Sequence, residues 1–195
     1  LCLIGGDYKY GPRVPVSPVL EEMQEIVQSI NTHLGVFGVR GNHDPIDLVT
    51  GLEKMGIHML MNSSVSIKKD KQEIYLAGVD DPFHYKTHDF DEAFRNVPEG
   101  KFSIFMAHTP QLHVEAESFQ ADFYLCGHTH NNQIQIPWVN YLVSWIHGIG
   151  KRYSYGKWFN KRMAGYTGAG VGSSGVKVRF RCPPEIGVLT LKRKE

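Results

Sequence analysis

The sequence predicts an α/β protein in which helices flank two mixed sheets, and three observations carry the prediction. Short apolar runs end repeatedly in Gly or Ala followed by a polar side chain able to ligate: Leu1 to Gly6 leads into Asp7, Leu34 to Val39 into Arg40-Gly41-Asn42-His43-Asp44, Phe102 to Ala107 into His108, and Phe123 to Gly127 into His128-Thr129-His130. Such runs, bounded by turn residues, read as buried strands. A stretch of helical periodicity separates the first two runs, which makes a strand, helix, strand unit with a right-handed parallel crossover. Further short runs with turn residues between them supply a second sheet.

A chain of 195 residues suffices for one domain with a sizeable core, and 42% hydrophobic content is ordinary for a globule in water. A net charge of +1 gives no global basic field, so no specific nucleic-acid partner is expected. Three cysteines, Cys2, Cys126 and Cys182, are odd in number and widely spaced, which fits free buried thiols in a reducing compartment better than a disulfide framework. No run approaches the ~18 apolar residues of a membrane span. The chain begins in mid-strand without Met and is read as the C-terminal body of a longer protein, with room for an upstream anchor or signal. The expected location is cytoplasmic or peripheral on the membrane.

In chain order, Tyr8 to Pro18 carries Pro12, Pro15 and Pro18 and reads as a loop beside the strand-end residues. Val19 to Asn31 sets Val19, Met23, Ile26, Val27 and Ile30 close to i, i+3, i+4, i+7 spacing, a helix covering a sheet, with Ser17 as its cap ahead of Pro18. Pro45 opens a second helix that runs to about Met55 and stops at Gly56. Ile57 to Met61, Ser64 to Lys68 and Glu73 to Val79 are expected to pair as the start of the second sheet. His84 and His88 follow in a loop, either as solvated histidines or on a flap at the substrate side. Asp89 to Val97 and Gln111 to Phe119 read as helices.

From Trp138 to Trp158 the chain interleaves Trp145, Tyr153 and Tyr155 with Lys151, Arg152 and Lys157, and Lys161 and Arg162 follow. A long covering loop is the plain reading, and contact with a membrane surface or a lipid-bearing substrate is the functional one. Gly165 to Gly175 lacks G-K-[ST], which argues against a phosphate-cradling loop; glycines there allow close backbone approach to a site. Val176 to Phe180 and Ile186 to Leu191 read as strands that complete the second sheet.

The four strand ends together present Asp7, Asn42, His43, His108, His128 and His130 where ligands collect in layered α/β proteins. An isolated H-x-H pair is ordinarily two surface histidines; in this company His128 and His130, two apart in an extended chain, can serve two ions side by side. Oxygen ligands mixed with imidazoles suit Mn, Fe or Zn better than the all-oxygen shells of Ca or Mg.

The motifs G-G-D (Gly5 to Asp7), G-N-H-D (Gly41 to Asp44), A-H-T-P (Ala107 to Pro110) and G-H-T-H (Gly127 to His130), in this order, resemble the calcineurin-like metallophosphoesterases. The tail from Gly172 through Arg179 to Glu185 is similar to a bacterial, often membrane-associated branch. The resemblance implies a four-layer α/β/β/α sandwich and two divalent transition metal ions. Asp7 then bridges both ions, Asn42, His108 and His128 complete one, and His130 belongs to the other. The family pattern opens with D-x-H on its first strand, and no D-x-H precedes Asp7 here, so that strand and two ligands are expected upstream.

The resemblance further implies hydrolysis of a phosphomonoester, phosphodiester or pyrophosphate, lipid-linked or nucleotide-linked substrates included, by a metal-bridging hydroxide. His43 faces the substrate and is oriented by Asp44, and Arg40 is a candidate phosphate contact. A non-catalytic interaction scaffold on the same fold is the alternative.

Overall fold

Alternation along each strand sorts its side chains onto opposite faces, and the outcome is three separate apolar clusters that define four layers. The computed structural model describes residues 1–11, 13–136 and 149–192. Strands β1 (Cys2–Ile4), β2 (Val36–Gly38) and β3 (Ile57–Met59) form a parallel sheet in that order. Strands β4 (Ser63–Lys69), β5 (Gln72–Gly78), β6 (Ser103–Met106), β7 (Phe123–Cys126), β8 (Gly156–Asn160) and β9 (Met163–Thr167) form the second, ordered β4-β5-β6-β7-β9-β8. Its centre is parallel, and the pairs β4–β5 and β8–β9 are antiparallel.

Cys2, Ile4, Val36, Ile57 and Met59 point to one side of the first sheet, where helices α1 (Val16–Ser29) and α2 (Ile46–Lys54) cover them with Val19, Met23, Leu48, Val49 and Leu52. Leu3 and Phe37 point to the other side and meet Ile67, Leu76, Ile104, Met106 and Leu125 of the second sheet. The alternate residues Ala77, Phe105, Tyr124 and Cys126 form the outer core with helices α3 (Phe90–Phe94) and α4 (His113–Ser118). There Phe90 stacks on Phe105 and Phe119 with centroids 5.0 and 5.1 Å apart. The expected order of layers is therefore present: helices, sheet, sheet, helices.

Several local expectations are corrected. The first sheet is parallel throughout its described strands, not mixed, and Ile57–Met59 belongs to it instead of opening the second. The crossover through α2 returns the chain beside β2, and Leu60 N–H donating to Gly38 O at 2.8 Å extends that pairing. Helix α1 begins at Val16 with Pro15 as its cap residue, so Ser17 and Pro18 lie inside the first turn, where a missing proline N–H breaks no helical bond.

Neither Val176 to Phe180 nor Ile186 to Leu191 joins the sheet; Phe180 makes a single bridge to Ile134, and Ile186 and Val188 are 83% and 91% exposed. The sheet is completed by the β8–β9 hairpin, in the region read as covering loop and glycine-rich segment. Of the aromatic and basic segment, Trp138 and Trp145 lie outside the described residues, as does Pro12 of the proline-rich loop. Tyr153 and Trp158 face the outer core, not solvent, with rings edge to face at 5.1 Å and Trp158 Nε1–H donating to Thr167 Oγ1 at 2.9 Å.

All three cysteines are free, and burial pushes the Cys126 thiol up to about 12. Among the described residues no helix is long and apolar enough to cross a membrane.

Candidate metal centre

Each ligating residue sits one or a few positions past a strand end, where the sheet releases the chain into a loop. The β1 and β2 loops cross at their glycines. A Cβ on Gly41 would lie 2.2 Å from Asp7 N, and one on Gly6, at φ 87°, would lie 2.6 Å from Gly41 N. Only glycine permits that approach. Asp7, His128 and His130 themselves occupy left-handed backbone at φ 56°, 67° and 50°, a conformation that costs non-glycine residues energy and collects at functional sites.

Asp44 fastens the crossing. Its Oδ2 accepts from Asp7 N–H at 2.8 Å and Gly41 N–H at 2.9 Å, and its Oδ1 accepts from Lys9 N–H at 3.2 Å. Asp7 Oδ1 in turn accepts from His43 N–H at 3.0 Å. From the second sheet, Gly127 N–H donates to His108 O at 2.8 Å, which joins the loops after β6 and β7.

These loops bring a ligand atom of each of Asp7, His108 and His128 within 4.8 Å of one another. His108 is 2% exposed and its Nδ1–H donates to Gly5 O at 2.7 Å, which turns its Nε2 toward Asp7. That Nε2 lies 3.1 Å from Asp7 Oδ2, close enough for attraction between charges but without the alignment of a hydrogen bond.

Burial works to raise Asp7, but His108 and the His43 N–H overcome it and hold the carboxyl at about 2. Burial works to lower His108, and the Asp7 carboxylate overcomes it, so the imidazole is raised. Burial and the neighbouring His108 charge push His128 down to about 4, which leaves it neutral and able to ligate at neutral pH.

The donor set fits a divalent transition metal. Asn42 Oδ1, His108 Nε2 and His128 Nδ1 are all buried without a hydrogen-bond partner. Two unpartnered imidazole nitrogens beside a buried carboxylate are costly unless a cation takes them, and Asn42 Oδ1 is a third buried atom without a partner. His130 stands just outside this group; its imidazole is lowered chiefly by burial and feels the charges of Asp7, His108, Arg179 and His43. The ring of His43 makes no hydrogen bond among the described residues and stays half-exposed beside Asp7.

Two of the candidate residues also make contacts inside the fold. Arg40 is 6% exposed: its Nε–H donates to Asp44 O at 2.7 Å, its guanidinium pairs with Asp80 at 3.3 Å and lies 3.4 Å from the Tyr85 ring centroid. Its donors are spent inside the fold, not offered to phosphate. Asp44 is fully buried and its carboxylate serves three backbone N–H groups, none of them the His43 imidazole.

Residues missed in the sequence are those of the loop after β5. Phe83 lies against the His128 ring with centroids 5.2 Å apart, so the loop borders the centre at that residue. The Asp80-Asp81-Pro82 turn was the available signal. The tail reaches the centre too: Cys182 Sγ–H donates to His130 O at 3.3 Å, and Arg179 Nη2–H donates to Cys182 Sγ at 3.2 Å.

The chain thus sets an Asp and His cluster at strand ends of an α/β/β/α sandwich. The calcineurin-like phosphoesterase family model matches residues 1–132, and the chain belongs to that family. An uncharacterized metallophosphoesterase of Helicobacter pylori is 30% identical over 210 residues, covering 100% of this chain and 51% of its own length. YkuE of Bacillus subtilis, also an uncharacterized metallophosphoesterase, is 27% identical over 86% of this chain and 59% of itself. The phosphodiesterase YaeI of Escherichia coli is 28% identical over 98% of this chain and 70% of itself. The chain thus spans between half and three-fifths of the first two relatives. The sulfate thiohydrolase SoxB of Thermus thermophilus shares the fold at TM-score 0.54 and 14% identity, over 86% of this chain and 33% of that one.

Proposed function

We propose that this chain forms the body of a binuclear metal-dependent phosphoesterase that hydrolyses phosphomonoesters, phosphodiesters or pyrophosphates, with a phosphodiester as the first substrate to try given the relative from Escherichia coli. The observation that carries the reading is the convergence of Asp7, His108 and His128 within 4.8 Å, with His108 Nε2 and His128 Nδ1 buried and unpartnered. Asp7, Asn42, His108 and His128 would hold one ion, and Asp7 with His130 would contribute to a second. Ions held there supply Lewis-acid polarisation of a phosphoryl oxygen and water acidified toward neutral pH as nucleophile.

The chain's own residues do the rest. His43, half-exposed beside Asp7 with its backbone N–H fixed on Asp7 Oδ1, presents an imidazole to the substrate, where it stabilises developing charge or protonates the leaving oxygen. His128, neutral at physiological pH, competes little with protons for its metal.

The test is metal content by mass spectrometry together with hydrolysis of bis(p-nitrophenyl) phosphate by the full-length protein. Transition metal bound at the centre and turnover abolished by chelator are expected. His43→Ala should keep its metal and lose ~10² or more in kcat. Metal binding that survives the combined His108→Ala and His128→Ala change would overturn the assignment.

A further inference from the structure

Phe83 is a large apolar side chain left 48% exposed while its ring touches the imidazole of His128, tilted by 49°. A lone exposed phenylalanine is ordinary on a protein surface. This one is held in place from several directions. Asp81, fully buried, accepts from the N–H groups of Phe83 at 3.2 Å, His84 at 2.6 Å and Tyr85 at 2.7 Å. Asn62 ties both ends of the loop: its Oδ1 accepts from Asp80 N–H at 2.9 Å and Asp89 N–H at 3.0 Å, and its Nδ2 donates to Thr87 O at 2.7 Å. Tyr85 rests on the buried Arg40 guanidinium. The backbone at Phe83 therefore has little freedom to fold the ring inward, although burying it would be favourable. The free surface of the ring opens to solvent at the edge of the centre.

We propose that Phe83 is a stacking platform for a planar group, an aromatic ring or a nucleobase, carried by the phosphoester whose phosphate occupies the metal centre. This rests on the phosphoesterase reading. A flat π-surface mounted rigidly beside a metal ligand receives a planar substituent without losing side-chain freedom, and offset or tilted stacking adds attraction beyond the area covered. A small alkyl substituent covers little of the ring.

The experiment compares binding of phenylphosphonate, cyclohexylphosphonate and methylphosphonate to the metal-loaded full-length protein by calorimetry, for wild type, Phe83→Ala and Phe83→Tyr, with thermal unfolding as a check on folding. Wild type is expected to bind phenylphosphonate about five- to ten-fold more tightly than methylphosphonate, with cyclohexylphosphonate in between. Phe83→Ala should bring phenyl and methyl within about two-fold, leave methylphosphonate affinity and metal content unchanged, and Phe83→Tyr should restore the preference. A phenyl preference that survives in Phe83→Ala, or cyclohexyl bound as tightly as phenyl, overturns the platform and leaves the phosphoesterase reading standing. Failure of all three phosphonates to bind wild type overturns that reading and the platform with it.

Discussion

The two carboxylate oxygens of Asp44 accept three backbone N–H groups from two different loops, so their removal leaves buried donors unpaired where Asp7 is aimed. Asp44→Ala is expected to lower stability by on the order of 3 kcal/mol, read as a fall in the urea midpoint, with metal lost alongside. Asp44→Asn is no rescue, because its amide turns a donor toward donors. If Asp44 instead acted only by orienting His43, either change would lower turnover and leave the midpoint in place.

Asp7 gives a second test at this scale, in the metal-free protein. His108 holds its folded pKa at about 2, below the ordinary 3.8, so its contribution is complete above 3.8 and lost as pH falls through about 2. The full loss is about 2 kcal/mol over that window. Asp44 runs the other way, since burial and the Asp7 charge raise it, and ionising it costs stability as pH rises. Urea midpoints between pH 5 and pH 3 should fall less steeply for Asp7→Asn than for wild type; equal slopes would remove the pairing.

At the scale of elements, the strand ends were legible because each apolar run stops at Gly or Ala and a polar residue follows at once. That pattern singles out Asp7, Asn42, His108, His128 and His130, of which Asp7, His108 and His128 come within 4.8 Å of one another. The β8–β9 hairpin was not legible. Its turn uses Lys161 at φ 40° in place of Gly or Asn, and its inward residues include Gly165, where a Cβ would strike the Trp158 ring at 2.2 Å. The run 176–180 reads as strand, but among the described residues its one ladder partner is Ile134, and side chains elsewhere hold it.

Gln133 is the main tether: its Nε2–H groups donate to Ser174 O at 3.1 Å and Val176 O at 2.7 Å, and its Oε1 accepts from Ser174 N–H at 2.6 Å. Gln133→Ala should therefore raise amide exchange across residues 172–182 while exchange in β6 and β7 stays slow. Unchanged exchange in the tail would mean that the Arg179 and Cys182 hydrogen bonds suffice to hold it.

For the whole molecule, a ligand that binds only the folded state stabilises it by mass action, about 2.7 kcal/mol at a hundred-fold excess over Kd. In a domain of 195 residues that corresponds to a fall of roughly 5–10 °C in Tm on chelation. Scanning calorimetry with and without chelator measures it, and an unchanged Tm would show that the orphaned lone pairs hold no ion. The proposed ligands are divided between the sheets: Asp7 and Asn42 leave the first, and His108, His128 and His130 leave the second. Gly5 and His108, which touch across that division, are 103 residues apart in the chain. Neither sheet alone holds an ion by more than two side chains and a carboxylate's reach, so an ion at the centre acts as a rivet through two plates and closes a very long loop. At saturating metal, uptake by a refolding chain is then expected to keep time with the docking of the plates, late in folding.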